Sequence, residues 1–163
     1  RTAFGAVLDR RALADLEEAY DFAARPGTEW AGADSVGLLG LGAGGRIALL
    51  AAARRPEVAA VAVAYAPLDE GNDEEHMSVL EAVSQIEVPI LGLYCHDDGV
   101  VPVERVHQAR GRAKGGEWII YHDTGHDFMD EGRAEYNAPS AADALSRIVG
   151  FLSEHLPAPV GVT

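Results

Sequence analysis

Val36-Gly37-Leu38-Leu39-Gly40-Leu41-Gly42-Ala43-Gly44-Gly45 is the stretch on which the fold turns. Its first half is apolar, as a strand covered on both faces is, and the segment from Ser35 to Leu41 reads as such a strand. Its second half is crowded with glycine, and the chain then runs into Arg46-Ile47-Ala48-Leu49-Leu50-Ala51, the composition of a helix from Gly45 to Arg55. Glycine turns the chain sharply and lets strand and helix backbones approach closely. Strand, tight turn and helix in direct succession form one unit of a parallel α/β sheet.

The alternation continues on both sides. Arg11 to Ala24 has Leu13, Leu16, Tyr20 and Ala23 on one helical face and stops at Arg25-Pro26-Gly27. Val58 to Tyr65 is a second apolar strand. Beyond it lie an acidic loop (Asp69, Glu70, Asp73, Glu74, Glu75) and a short helix near Met77 to Ser84. A third strand spans Pro89 to Tyr94 and a helix spans Pro102 to Ala113. Glu117 to Tyr121 is a fourth strand, and Ser140 to His155 a final helix. The expected organisation is one α/β domain over residues 1–156 with a loose tail over 157–163.

Composition narrows the function. With 26 acidic against 13 basic residues the chain carries a net charge of −13, which repels phosphate backbones and anionic lipid heads. Neither a nucleic-acid nor a membrane role is expected. The single cysteine, Cys95, precludes an intrachain disulfide and suits the cytoplasm.

The glycine turn has two chemical readings. In the pattern Gly-x-Nuc-x-Gly, a strand delivers a nucleophile on a strained turn just before a helix. Gly40, Gly44 and Gly45 frame that pattern here and put Gly42, which has no side chain, at the nucleophile position. Gly40-x-Gly42-x-x-Gly45 also spells a dinucleotide-binding fingerprint. That fingerprint needs an acid at the end of the next strand, where this chain has Ala66-Pro67-Leu68 before Asp69.

Two later blocks favour the first reading. Val88-Pro89-Ile90-Leu91-Gly92-Leu93-Tyr94 leads to Asp98-Gly99-Val100-Val101-Pro102, and Gly125-His126-Asp127-Phe128 is followed by Arg133 and Tyr136-Asn137. With the glycine turn, these resemble the dienelactone hydrolase family of α/β-hydrolases, in the order nucleophile, Asp, His. The resemblance implies a partial α/β-hydrolase fold, a mainly parallel sheet flanked by helices. In it Asp98 orients His126, His126 acts as general base and acid, and the Ala43 amide contributes to an oxyanion hole. Asp97 is a competing candidate for the carboxylate. No cofactor is implied.

The resemblance also implies that the chain corresponds to the carboxy-terminal part of that fold. The strand Ser35 to Leu41 would then lie at an open edge, to be covered by an amino-terminal segment or another subunit. Loss of a triad nucleophile costs on the order of 10⁶ in rate. The expectation is therefore a small-molecule ester or lactone hydrolase that is impaired as written, a pseudoenzyme. The alternatives are a non-hydrolytic binding protein or subunit on the same fold and a nucleotide-cofactor protein. A milder variant has His126 and Asp98 act directly on water or on an acidic proton. Cys95 reads as a small buried hydrophobe. His96, Asp97, His122 and Asp123 lack the spacing of a zinc site, and Trp30 and Trp118 read as packing residues.

Overall fold

The computed structural model describes residues 9–25, 35–71, 77–122 and 124–156. Its elements are α1 (Asp9–Ala23), β1 (Leu38–Leu41), α2 (Ala43–Arg54), β2 (Val61–Ala64), α3 (Val79–Gln85), β3 (Ile90–Cys95), α4 (Val103–Arg112), β4 (Glu117–Tyr121) and α5 (Ala138–His155). The four strands pair in parallel in the order β1-β2-β3-β4. Each crossover steps the same way across the sheet, and right-handed crossovers stepping one way put their helices on one face.

Side chains alternate along each strand and so build a core on each face. Val61, Val63, Ile90, Tyr94 and Trp118 join Leu13, Leu49, Leu80 and Val106 of the first four helices. Ala62, Ala64, Leu91, Leu93 and Cys95 join Phe128, Ala144 and Ile148, which places α5 on the opposite face. β2 and β3 are buried at every position, as strands covered on both sides are.

β1 is shorter than the expected strand from Ser35 to Leu41. Residues 35–37 precede its ladder, although the Val36 carbonyl already accepts from Ala59 N–H and Leu38 N–H donates to the Ala60 carbonyl. An apolar run marks burial, but a ladder begins only where both chains run side by side. Among the described residues β1 borders β2 alone. Leu39 and Leu41, on the α5 face, are 52% and 45% exposed because α5 covers β2 and β3 instead. Among the described residues, Ser78 caps α3 by accepting from Glu81 N–H and Asn137 caps α5 by accepting from Ser140 N–H. Trp118 is buried and stacks on Tyr94, while Trp30 and the acids at 73–75 lie outside the described residues.

Candidate active site

The turn after β1 is built by close approach. A β-carbon at Gly40 would stand 2.5 Å from the Gly44 oxygen and the Gly45 Cα, and one at Gly45 2.6 Å from the Ala66 Cβ. The glycines at 40 and 45 therefore let α2 spring directly off the strand. Gly42 is the residue before the helix, at φ 51° and ψ −124°. Its N–H donates to the Ala64 carbonyl, and its carbonyl accepts from Gly45 and Arg46. The Ala43 amide precedes the first intrahelical bond and, with the positive end of the helix dipole, can serve an anion. A β-carbon at 42 would meet only the Tyr65 ring, at 3.8 Å, so a side chain has room there.

Asp98 and His126 come together from the loops after β3 and β4, at the carboxyl edge of the sheet where β1 also ends. His126 Nδ1 lies 2.8 Å from Asp98 Oδ2, and the Asp98 side chain is fully buried. Asp98 Oδ1 accepts from Val100 N–H at 2.7 Å and Val101 N–H at 2.9 Å, which fixes the carboxylate. Burial pushes the Asp98 pKa up, but the His126 hydrogen bond and the two amides outweigh it and hold the carboxyl below its ordinary value. The hydrogen bond to Asp98 raises the His126 pKa against the opposing effect of burial, with Asp127 and Glu135 adding to the rise. An imidazole anchored at Nδ1 by a buried carboxylate is the arrangement that lets Nε2 take and return a proton.

The remaining sequence candidates separate. Asp97 binds His96 Nδ1 at 2.8 Å on the surface and makes no hydrogen bond to His126. The buried Cys95 thiol donates to the Gly125 carbonyl at 2.9 Å. Burial pushes its pKa up to about 12, aided by Asp98 and Asp97, so it is not an activated nucleophile. The His96 and His122 rings stack at 5.2 Å, Asp123 lies outside the described residues, and no group of three or more metal-type ligands occurs among the described residues. Asp69, the acid nearest to a ribose-binding position, is engaged by Arg46, and Glu70 pairs with Arg105 at 3.0 Å. The acidic loop is thus tied to α2 and α4 at its start. Two surface cavities, one beside α2 and α3 and one at the amino edge of the sheet, are lined by none of Gly42, Asp98 and His126.

Two features escape the sequence reading. Tyr65 ends β2 with its ring against position 42, 5.4 Å from the His126 ring and 5.7 Å from Phe128. Arg46 is buried and bidentate to the buried Asp9, at 3.0 and 2.7 Å, and donates to the Met77 carbonyl at 2.6 Å. A lone charge inside the apolar run of α2 is the signal that could have marked Arg46.

Comparison with known proteins bears on the same residues. The family model described as "Dienelactone hydrolase family" matches residues 3–156. A "putative carboxymethylenebutenolidase" of Escherichia coli is 31% identical over 155 residues, covering 91% of this chain and 56% of that protein. A carboxymethylenebutenolidase of Rhodococcus opacus is 33% identical over 127 residues, covering 74% and 50%. The crystal structure of a "putative dienelactone hydrolase" from Klebsiella pneumoniae superposes with a TM-score of 0.78 at 28% identity, covering 92% of this chain and 63% of that one. The chain thus spans about half the length of the curated relatives that it matches. The match runs through the glycine turn and the two loops that meet at His126, and the chain belongs to the dienelactone hydrolase family.

Proposed function

We propose that this chain carries the site of an ester or lactone hydrolase of the dienelactone type, with position 42 where the nucleophile would stand. His126 is its proton carrier, Asp98 its orienting carboxylate and the Ala43 amide an oxyanion donor. The observation that supports this most directly is the hydrogen bond from half-buried His126 to buried Asp98, at the sheet edge where the glycine turn also ends. The names of the relatives, carboxymethylenebutenolidases, favour a small unsaturated lactone as substrate.

As written the chain is impaired, because glycine cannot form an acyl-enzyme. A cysteine or serine installed at 42 would attack the carbonyl carbon. His126 would take its proton, and the Ala43 N–H would meet the oxyanion. The direct test is turnover of small activated esters and lactones by Gly42→Cys and Gly42→Ser beside the unaltered chain. A gain of several orders of magnitude that His126→Ala abolishes is the expected result. No gain in either variant would sink the reading.

A second reading is favoured by one observation, the intact Asp98–His126 pair beside a glycine. There the imidazole activates water directly, at far lower rates. Turnover by the unaltered chain that disappears in His126→Ala would support it, and equal turnover with and without His126 would remove it.

A further inference from the structure

Among the described residues only two non-glycine residues have positive φ, Tyr65 at 40° and Asp127 at 60°. Both meet His126, Tyr65 through its ring and Asp127 through its carboxylate. Backbone in this region is uncommon for any residue but glycine and is a genuine outlier for a bulky one. Where it persists the surroundings impose it, and function is a common reason.

The turn at Tyr65 has a visible consequence. Side chains of β2 alternate, so residue 65 should fall with Val61 and Val63 on the α2 face. Instead its ring packs with Ala62, Ala64 and Phe128 on the other face. The left-handed turn carries the ring across the end of the strand. It comes to rest edge-on to His126, at 67° and 5.4 Å, with two of its carbons 3.8 Å from where a β-carbon at 42 would stand. Asp127 is turned so that Oδ1 lies 3.5 Å from His126 Nε2, while its Oδ2 is 3.5 Å from Arg133 Nε. The imidazole thus has a carboxylate on each side, Asp98 at Nδ1 and Asp127 at Nε2. Glu135 adds charge from the same loop, and Asp130 shares Arg133.

We propose that Tyr65 and Asp127 are positioning residues for His126. The Tyr65 ring sets the imidazole plane against position 42, and Asp127 faces Nε2, where it stabilises the imidazolium once Nε2 has taken a proton. The catalytic consequence rests on the hydrolase reading, but the placement of the ring does not.

The test is proton NMR of the His126 ring across pH in the chain as it stands, with kinetics in a Gly42→Cys background. Asp127→Asn keeps a residue that tolerates the left-handed turn and removes the charge. It is expected to lower the His126 titration midpoint and to move the acidic limb of kcat/KM the same way. Tyr65→Leu is expected to abolish the ring-current displacement of the His126 protons, which Tyr65→Phe retains. It should also cost about tenfold to a hundredfold in kcat with KM little changed. An unmoved midpoint in Asp127→Asn overturns the proposal, as do unmoved ring protons and kcat in a Tyr65→Leu that circular dichroism shows to be folded. If Tyr65→Leu does not fold, the Asp127→Asn midpoint decides. An inert Gly42→Cys with shifted NMR signals would sink the hydrolase reading and leave the positioning roles standing. An active one with unshifted signals would do the reverse.

Discussion

Gly40, Gly42 and Gly44 lie within five residues and answer to different forces. Alanine at 40 drives a methyl into the backbone of α2, and overpacking of that kind costs roughly 1–3 kcal/mol. At 42 the space is open but the backbone is left-handed, so Gly42→Ser or Gly42→Cys should cost about 1 kcal/mol through strain alone. A methyl at 44 meets nothing within 4 Å, in the first turn of a helix, and Gly44→Ala should be neutral or slightly stabilising. Urea unfolding of the three variants checks that order, and a Gly42 variant more stable than the parent would contradict it. His126 makes a second residue-scale prediction. Its folded pKa is raised above the 6.5 reference, so its pairing stabilises the fold below the unfolded value and loses that effect as pH climbs through the raised one. Asp98, with a lowered pKa, contributes above its unfolded value and stops contributing as pH falls through the folded one. The stability lost in His126→Gln should therefore be greatest in mildly acidic solution and shrink in alkaline solution, as melting temperatures would show.

At the scale of elements, a buried charge ties α1, α2 and the approach to α3 together. Arg46 on α2 meets Asp9 in the first turn of α1, and Met77 N–H donates to the same carboxylate at 2.8 Å. Removing one partner leaves the other charged and dry, so Arg46→Ala should lose roughly 3–5 kcal/mol. Replacing the pair together, Arg46→Met with Asp9→Leu, should recover most of it. If the double variant is no better than the single one, the pair is not what holds α1 in place. This clasp was not legible in the sequence, because its members are separated by 37 positions and nothing local joins them. The order of strands and helices was legible, since apolar runs and amphipathic segments alternate from Arg11 to His155. So was the meeting of Asp98 with His126, which the resemblance of the Asp98–Pro102 and Gly125–Phe128 blocks implied and the 2.8 Å contact bears out, while Asp97, the competing carboxylate, lies on the surface with His96. Tyr65 was not, because a single left-handed residue moved its ring to the face that period-two alternation denies it.

For the whole molecule the open question is the flank of the sheet beside β1. Leu39 and Leu41 are exposed there, and on the same side α5 exposes Leu145 and Val149, at 57% and 56%. Next to them, Leu152 and Leu156 reach the site a β-carbon would take at Gly37. Apolar surface beside a free strand edge is an aggregation hazard, and we propose that further polypeptide, from a longer chain or a second copy, covers it. Leu39→Lys with Leu41→Thr should then reduce self-association of these residues, measured by sedimentation velocity. Unchanged sedimentation would mean that this face takes no part. No helix among the described residues is long and apolar enough to cross a membrane. The central claim, that position 42 is the nucleophile's place, is tested most directly by the reactivity of a thiol put there. In Gly42→Cys, the rate of alkylation by iodoacetamide between pH 5 and 9 should follow a thiol titrating well below the free value of about 8.5, and His126→Ala should return it to that value. A profile that is ordinary from the start and indifferent to His126 would contradict the account.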